Sequence, residues 1–320
     1  MTTHRERIQA CLAGEIPDQT PVALWRHFPV DDQSPSNLAA AQIAFQRTFD
    51  FDLVKVTPAS SFCLRDWGAE DVWLGATEGT RSYTNHVISR PQDWESLRDL
   101  DPSAPHLADQ LDCVRLIRQG LGPDVPIIQT IFNPLAQAKN LAGDQTLLEH
   151  ARRFPEALGK GLSTIARTTR RFVEAAIGSG IDGIFYAVQH AQKSEFDSEQ
   201  FASLSEKDDI QILDAASGLW CNILHLHGSD IYFEWAQKYH LPVVNWHDRE
   251  TRPSLAEGRK IFDGVVCGGL SRETLVLKDP QAVRAEKQDA LRQTGGRKLI
   301  LSTGCVVPIT APYGNMMEAK

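Results

Sequence analysis

At 320 residues, 42% hydrophobic and 23% charged, the chain has the composition of a folded globular protein rather than a disordered one. A formal net charge of −8 speaks against a nucleic-acid-binding face or a polybasic membrane patch, and no apolar stretch approaches the roughly 18–20 residues needed to span a bilayer. Six scattered cysteines, Cys11, Cys63, Cys113, Cys221, Cys267 and Cys305, form no CxxC pair, which fits a reducing compartment and places the protein by expectation in the cytoplasm.

The chain opens on MTTHRERIQACLAGE, which reads as a charged amphipathic helix without the apolar centre of a signal peptide. Short β-branched or apolar runs then recur at 22–25, 53–57, 126–131, 183–187, 223–227, 243–246, 264–267 and 299–302. Amphipathic segments lie between them at 37–49, 105–120, 147–177, 199–219, 231–240, 254–261 and 280–293. Parallel strands need helical crossovers, and eight such units close a barrel. The expected fold is therefore α/β, a single (β/α)8 TIM barrel domain spanning 1–320. A doubly wound sheet would carry a GxGxxG after its first strand, and none is found.

Residues 60–102 break the rhythm, with Trp67, Trp73 and Trp94 among glycines and short alternating runs such as VWLGATEG and RSYTNHVIS. This stretch reads as an insertion after strand two, a hairpin over part of the barrel mouth, serving as a lid or as a structural cap. Little chain follows the eighth strand, MMEAK ending it, so a partner chain, as in a homodimer, is expected to cover that side.

Residues that end the strands on the C-terminal side line the active site of such a barrel. In order these are Arg26 and His27, Thr57, Asn133, Tyr186 with Gln189 and His190, His225 and His227, Asn245 with His247 and Asp248, Cys267, and Thr303 with Cys305. In ILHLHGSD the two histidines are two apart and face the same way, roughly 7 Å apart along the strand. One metal ion spans that gap. Cys305, just past the eighth strand in LILSTGCVVP, lies on the same rim, so His225, His227 and Cys305 form a candidate zinc site with its fourth position open, the catalytic type. The competing reading is a buried, hydrogen-bonded histidine and a small buried cysteine. Arg26 and His27 suit a substrate carboxylate or phosphate, with a surface salt bridge as the alternative for Arg26. Asn133, Gln189, His190 and Asn245 are candidate substrate contacts. Tyr186, His247 and Asp248 are candidate acids or bases; Asp248 also suits a helix N-cap, and packing is the alternative for Tyr186.

Several of these segments together resemble the uroporphyrinogen decarboxylase superfamily, which includes the tetrapyrrole decarboxylase and the methylcobalamin-dependent methyltransferases. RERIQACLAGEIPDQTPVALWRH is similar to its N-terminal helix, turn and first strand; DWGAEDVW and RPQDWESLRDLDP are similar to its inserted segment; ILHLHG and LSTGCVVPITAP follow in the same order. The resemblance covers nearly the whole chain and implies a (β/α)8 barrel. The decarboxylase grips its substrate with two arginines after strand one; Arg26 matches the first, and Val30 stands at the second. Its essential aspartate would fall near VKVTPAS, which has no acid, and the histidine of its C-terminal GHG is replaced by Cys305. The methyltransferase branch holds zinc through an HxC pair on strand five and a cysteine after strand eight. His225 and Cys305 match two of those positions, and His227 stands for the first cysteine.

The resemblance thus implies a zinc-dependent, corrinoid-linked methyltransferase acting on a small-molecule methyl donor or acceptor, with methylcobalamin as substrate or carried by a corrinoid protein. Histidine in place of cysteine raises the site's charge by one unit, which favours an acceptor other than a thiol, or demethylation of an ether or amine. The alternatives are a metal-free decarboxylase of a tetrapyrrole with Arg26 and Tyr186 as contacts, a metal-dependent hydrolase, since HxH pairs also occur in amidohydrolase barrels, and a non-catalytic corrinoid-binding barrel.

Overall fold

A capping box starts the first helix of the computed structural model, which describes residues 2–320. The Thr3 hydroxyl accepts from the Glu6 N–H, and the Glu6 carboxylate accepts from the Thr3 N–H, satisfying two donors that a helix N-terminus leaves free. In chain order the elements are α1 (His4–Leu12), α2 (Pro35–Phe49), β1 (Val54–Val56), β2 (Glu70–Val72), β3 (Ser82–Asn85), α3 (Pro105–Leu121), β4 (Ile127–Phe132), α4 (Pro134–Ala142), α5 (Asp144–Arg153), α6 (Pro155–Gly178) and β5 (Gly183–Val188). They continue with α7 (Ser198–Ala215), β6 (Ile223–Leu226), α8 (Trp235–Lys238), β7 (Val243–Trp246), α9 (Leu255–Ile261), β8 (Val265–Leu270), α10 (Arg272–Leu277), α11 (Pro280–Thr294), β9 (Leu299–Thr303) and α12 (Tyr313–Ala319).

Seven strands form one curled sheet in the order β1-β4-β5-β6-β7-β8-β9, every pair parallel. This is the arrangement of a TIM-like barrel. The eighth expected strand, 22–25, is reduced to a single parallel bridge between Val22 and Leu301. Pro21 offers no N–H for a longer ladder, and its carbonyl instead accepts from Leu301. The segment still joins the two edges. Ala23 donates to the Leu301 carbonyl at 3.0 Å and Asp52 donates to the Val22 carbonyl at 2.8 Å, while the Val22 N–H reaches the Asp52 carboxylate at 2.9 Å.

Strand alternation sorts the side chains into two layers. Trp25, Leu53, Ile128, Phe185, Ile223, Val243, Val265, Cys267 and Ile300 fill the inside, together with Ile8 and Cys11 of α1, which plugs the N-terminal pole. The outer faces pack against the helices in the larger core. With the lower half filled by apolar residues, polar side chains are left to the C-terminal end.

Several boundaries differ from expectation for local reasons. The amphipathic run 147–177 is two helices, α5 and α6, because Pro155 cannot continue α5 and instead opens α6 at its first turn. The run 231–240 yields only the four-residue α8. The Trp-rich segment does contain a hairpin, β2 pairing antiparallel with β3, and fully buried Trp94 anchors it by donating from Nε1 to His150 at 2.9 Å. Among the described residues no helix is long and apolar enough to cross a membrane, and all six cysteines are free.

Candidate metal centre

Three imidazoles and a thiol meet at the C-terminal end of the sheet: the ligand atoms of His225, His227, His247 and Cys305 all lie within 4.8 Å of one another. His225 is on β6, and His227 follows in the same extended backbone, its N–H bound to the Val188 carbonyl at 2.9 Å. Register then decides the partner. His225 lies opposite Asn245 of β7, so two residues further on His227 faces His247. Cys305 arrives from the turn after β9. A Cβ on Gly304 would sit 2.5 Å from His247 Cα and 2.6 Å from the Trp246 carbonyl oxygen, so only glycine lets that turn pass close enough to deliver the thiol.

His227 Nδ1 is the hub, 3.3 Å from His225 Nε2, 3.4 Å from His247 Nε2 and 3.9 Å from Cys305 Sγ. The outer two rings are oriented from behind. Asn245 donates its amide N–H groups to the Cys267 and Thr303 carbonyls at 2.7 and 3.0 Å. Its oxygen is therefore the atom that meets His225 Nδ1 at 2.7 Å; that nitrogen carries the proton and Nε2 turns a lone pair inward. His247 Nδ1 likewise donates to Glu250 at 3.1 Å, freeing its own Nε2. The hydrogen bond to His247, with Arg272 also bound, holds Glu250 down to about 2, so it is an ionised acceptor. Burial, then the neighbouring imidazoles, keeps His225 well below the ordinary histidine range. Burial, then Arg272, also lowers His227. Neutral imidazoles are the ligand form of histidine.

The cluster borders a cavity of about 430 Å³ lined by His225, His227 and Cys305 together with His27, Lys55, Gln189 and His190. Its roof is the loop between β2 and β3, with Glu78, Gly79 and Arg81 among the lining residues. Arg272 ties this roof to the cluster, binding Glu78 at 2.5 Å and Glu250 at 2.7 Å. His190 has a left-handed backbone (φ 65°), and its Nδ1 is buried without a partner.

Of the other expected site residues, four stand elsewhere. Tyr186 points outward from β5, because its neighbours Phe185 and Ala187 take the inward positions; its hydroxyl donates to Asp209 at 2.7 Å in the outer core. Asp248 neither caps a helix, Ser254 doing so for α9, nor borders the cavity; it accepts from the Gly269 N–H at 3.1 Å, and burial pushes it up to about 7. Asn133 caps α4 by accepting from Ala136. Arg26 turns to the Ile309 carbonyl at 3.3 Å and lies over the Phe28 ring at 5.0 Å, away from the cavity. Asn245 acts through His225 rather than on the cavity. His247, expected as an acid or base, stands among the potential ligands, which makes the cluster four-membered instead of three. Its signal was legible as Asn-x-His two positions out on the next strand. Lys55, inward on β1 within an apolar run, was missed.

Among known families, the model for uroporphyrinogen decarboxylase (URO-D) matches residues 3–319. No curated protein matches the chain in sequence. Among solved structures the chain is similar to a methyltransferase from Methanosarcina mazei, with a TM-score of 0.87 at 18% identity over 100% of this chain and 97% of that one. It is also similar to a B12-independent methionine synthase from Shewanella sp. W3-18-1 solved in complex with selenomethionine, with a TM-score of 0.58 at 13% identity over 93% of this chain and 90% of that one. At these identities the structural likenesses speak for the fold alone.

Proposed function

The chain belongs to the uroporphyrinogen decarboxylase family, and on that premise we propose that it is a zinc-dependent methyltransferase, moving a methyl group between a small molecule in the cavity and a corrinoid presented at the barrel mouth. The observation that carries this reading is the convergence of His225, His227, His247 and Cys305 within 4.8 Å. The donor set suits zinc. Tetrahedral bonds of about 2.0–2.3 Å give ligand–ligand edges of roughly 3.3–3.6 Å, and the separations around His227 are 3.3, 3.4 and 3.9 Å. Asn245 and Glu250 supply the second partners that turn two imidazoles toward a common point.

Bound zinc would supply Lewis acidity to an atom of the small molecule, which would enter as a fifth ligand or by displacing one of the four side chains. With three imidazoles and one thiolate the centre is more cationic than one rich in thiolates, which favours activating a leaving ether or amine over sharpening a thiolate nucleophile. The chain's own residues hold the proton on His247 Nδ1 at Glu250 and that on His225 Nδ1 at Asn245. Phe185 packs against the His225 ring at 5.1 Å and walls one side of the cavity. A cavity of about 430 Å³ is at the small end for ligand pockets; it suits a small molecule and leaves a corrinoid outside. Decarboxylation of a tetrapyrrole fits less well, since Arg26 is turned to a main-chain carbonyl.

Metal analysis tests the reading. Protein produced with zinc should hold about one ion per chain and lose it in His225→Ala and Cys305→Ser. The loaded protein should then change the methylation state of cobalamin, followed by its visible spectrum, with an ether or amine as partner. Wild-type protein that retains no metal would remove the proposal.

A further inference from the structure

Lys55 stands in the cavity with no carboxylate paired to it. It is 4% exposed, its ammonium meets only the Thr57 hydroxyl at 3.3 Å, and the faces of Phe185 and Trp25 flank it at 4.6 and 5.7 Å. The other two cationic side chains of the lining have partners. Arg81 binds Asp71 at 2.7 Å and Asp32 at 3.3 Å, and Lys139 lies 3.9 Å from Asp144. Beside Lys55, His27 carries a buried Nδ1 with no hydrogen-bond partner. Burial, then the charges of Lys55 and Arg81, pushes His27 down to about 3, so its ring is neutral and can donate. Burying an ammonium without a paired carboxylate is costly, and burial, opposed only by the nearby Cys305 sulfur, pushes Lys55 down to about 7.

Resting on the methyl-transfer reading for what happens in the cavity, we propose that Lys55 and His27 form a carboxylate-binding subsite, so that the small molecule is a compact carboxylic acid whose reacting end lies toward Cys305 and the histidines. Lys55, His27, His227 and Cys305 line the same cavity, so one small ligand spans both ends. One ammonium matches one negative charge. A phosphate dianion would find a single unpaired cation, and a cationic ligand would meet aromatic faces already occupied by Lys55. The Phe185 and Trp25 rings suit a short aliphatic chain between the two ends.

The test uses the full chain freed of metal by a chelator, with 4-methoxybutanoate as the probe and 4-methoxybutanamide as its neutral counterpart, both titrated calorimetrically. Wild-type protein should bind the acid at least tenfold more tightly than the amide. Lys55→Met should bring the two within twofold of each other without weakening the amide, Lys55→Arg should keep the preference, and His27→Phe should lower it severalfold. Thermal melting guards the comparison, because removing an uncompensated buried charge should raise the Tm of Lys55→Met. Equal binding of acid and amide by wild type, or a preference that survives Lys55→Met, overturns the subsite. Since binding is read without metal, a chain that never takes zinc but prefers the acid through Lys55 loses only the methyl-transfer reading; one that takes zinc but does not discriminate loses only the subsite.

Discussion

Asn245 accepts the Nδ1 proton of His225 at 2.7 Å with an amide whose nitrogen is already committed to two main-chain carbonyls. The amide cannot turn over without stranding both carbonyls, so the ring's tautomer is set by β8 and β9, not by His225 itself. Asn245→Leu should lower zinc affinity about 10–100-fold and cost about 1–3 kcal/mol of stability for the unsatisfied carbonyls. Competition with a chromophoric chelator and urea unfolding measure the two effects. Unchanged zinc affinity would show that the tautomer is not held this way.

His247 completes a set that would otherwise have three members. His247→Ala should keep close to one metal per chain, bound more weakly, and open a coordination position. Cobalt(II) in place of zinc reports this directly: the variant's spectrum should shift on adding imidazole at concentrations that leave wild type's unchanged. A His247→Ala spectrum identical to wild type would exclude His247 from the ligand set.

Arg272 links Glu78 in the roof to Glu250 behind His247, contacts separated by 194 residues in one case and 22 in the other. Arg272→Met should free the loop between β2 and β3, speeding amide hydrogen exchange there while leaving β5 unchanged. Metal affinity should fall by less than in Asn245→Leu, because Glu250 stays next to His247 in sequence. Equal exchange in both proteins would mean that the roof is held by its other contacts, Arg81 and the Ile309 N–H on the Thr77 carbonyl.

Asp209 is fully buried and accepts from Tyr186 at 2.7 Å and from Tyr239. Burial nevertheless outweighs both hydroxyls and pushes the carboxyl up to about 7. The unfolded chain loses this proton near the ordinary value of about 3.9. Its contribution to stability is therefore fully present below about pH 4 and is lost as pH rises to about 7, because the unfolded state ionises first. In Asp209→Asn, denaturant unfolding should vary less across that window than in wild type. A slope equal to wild type's would assign the pH dependence to other groups.

The path to the site was partly visible in the chain. His225 and His227 stand two apart on a strand, and a period of two puts them on one face whatever the rest of the fold does. The same rule, applied to β7, would have brought out His247, since Asn245 and His247 repeat the spacing. Tyr186 was misplaced because GIFYAV is apolar throughout; a strand buried on both faces gives no polarity signal for which side points inward.

Local chemistry in the sequence was enough to set the alternation of strands and helices, the break before Pro155 and the shared face of the two histidines, because each depends on neighbours a few residues away. Tertiary structure alone decided that His247 joins His225, His227 and Cys305, that Asn245 and Glu250 orient them, and that Lys55 has no carboxylate partner. Those facts depend on the register between β6 and β7 and on the close pass at Gly304. Whether a buried charge is compensated is a property of every strand around it, and closing the sheet is what brings those strands together.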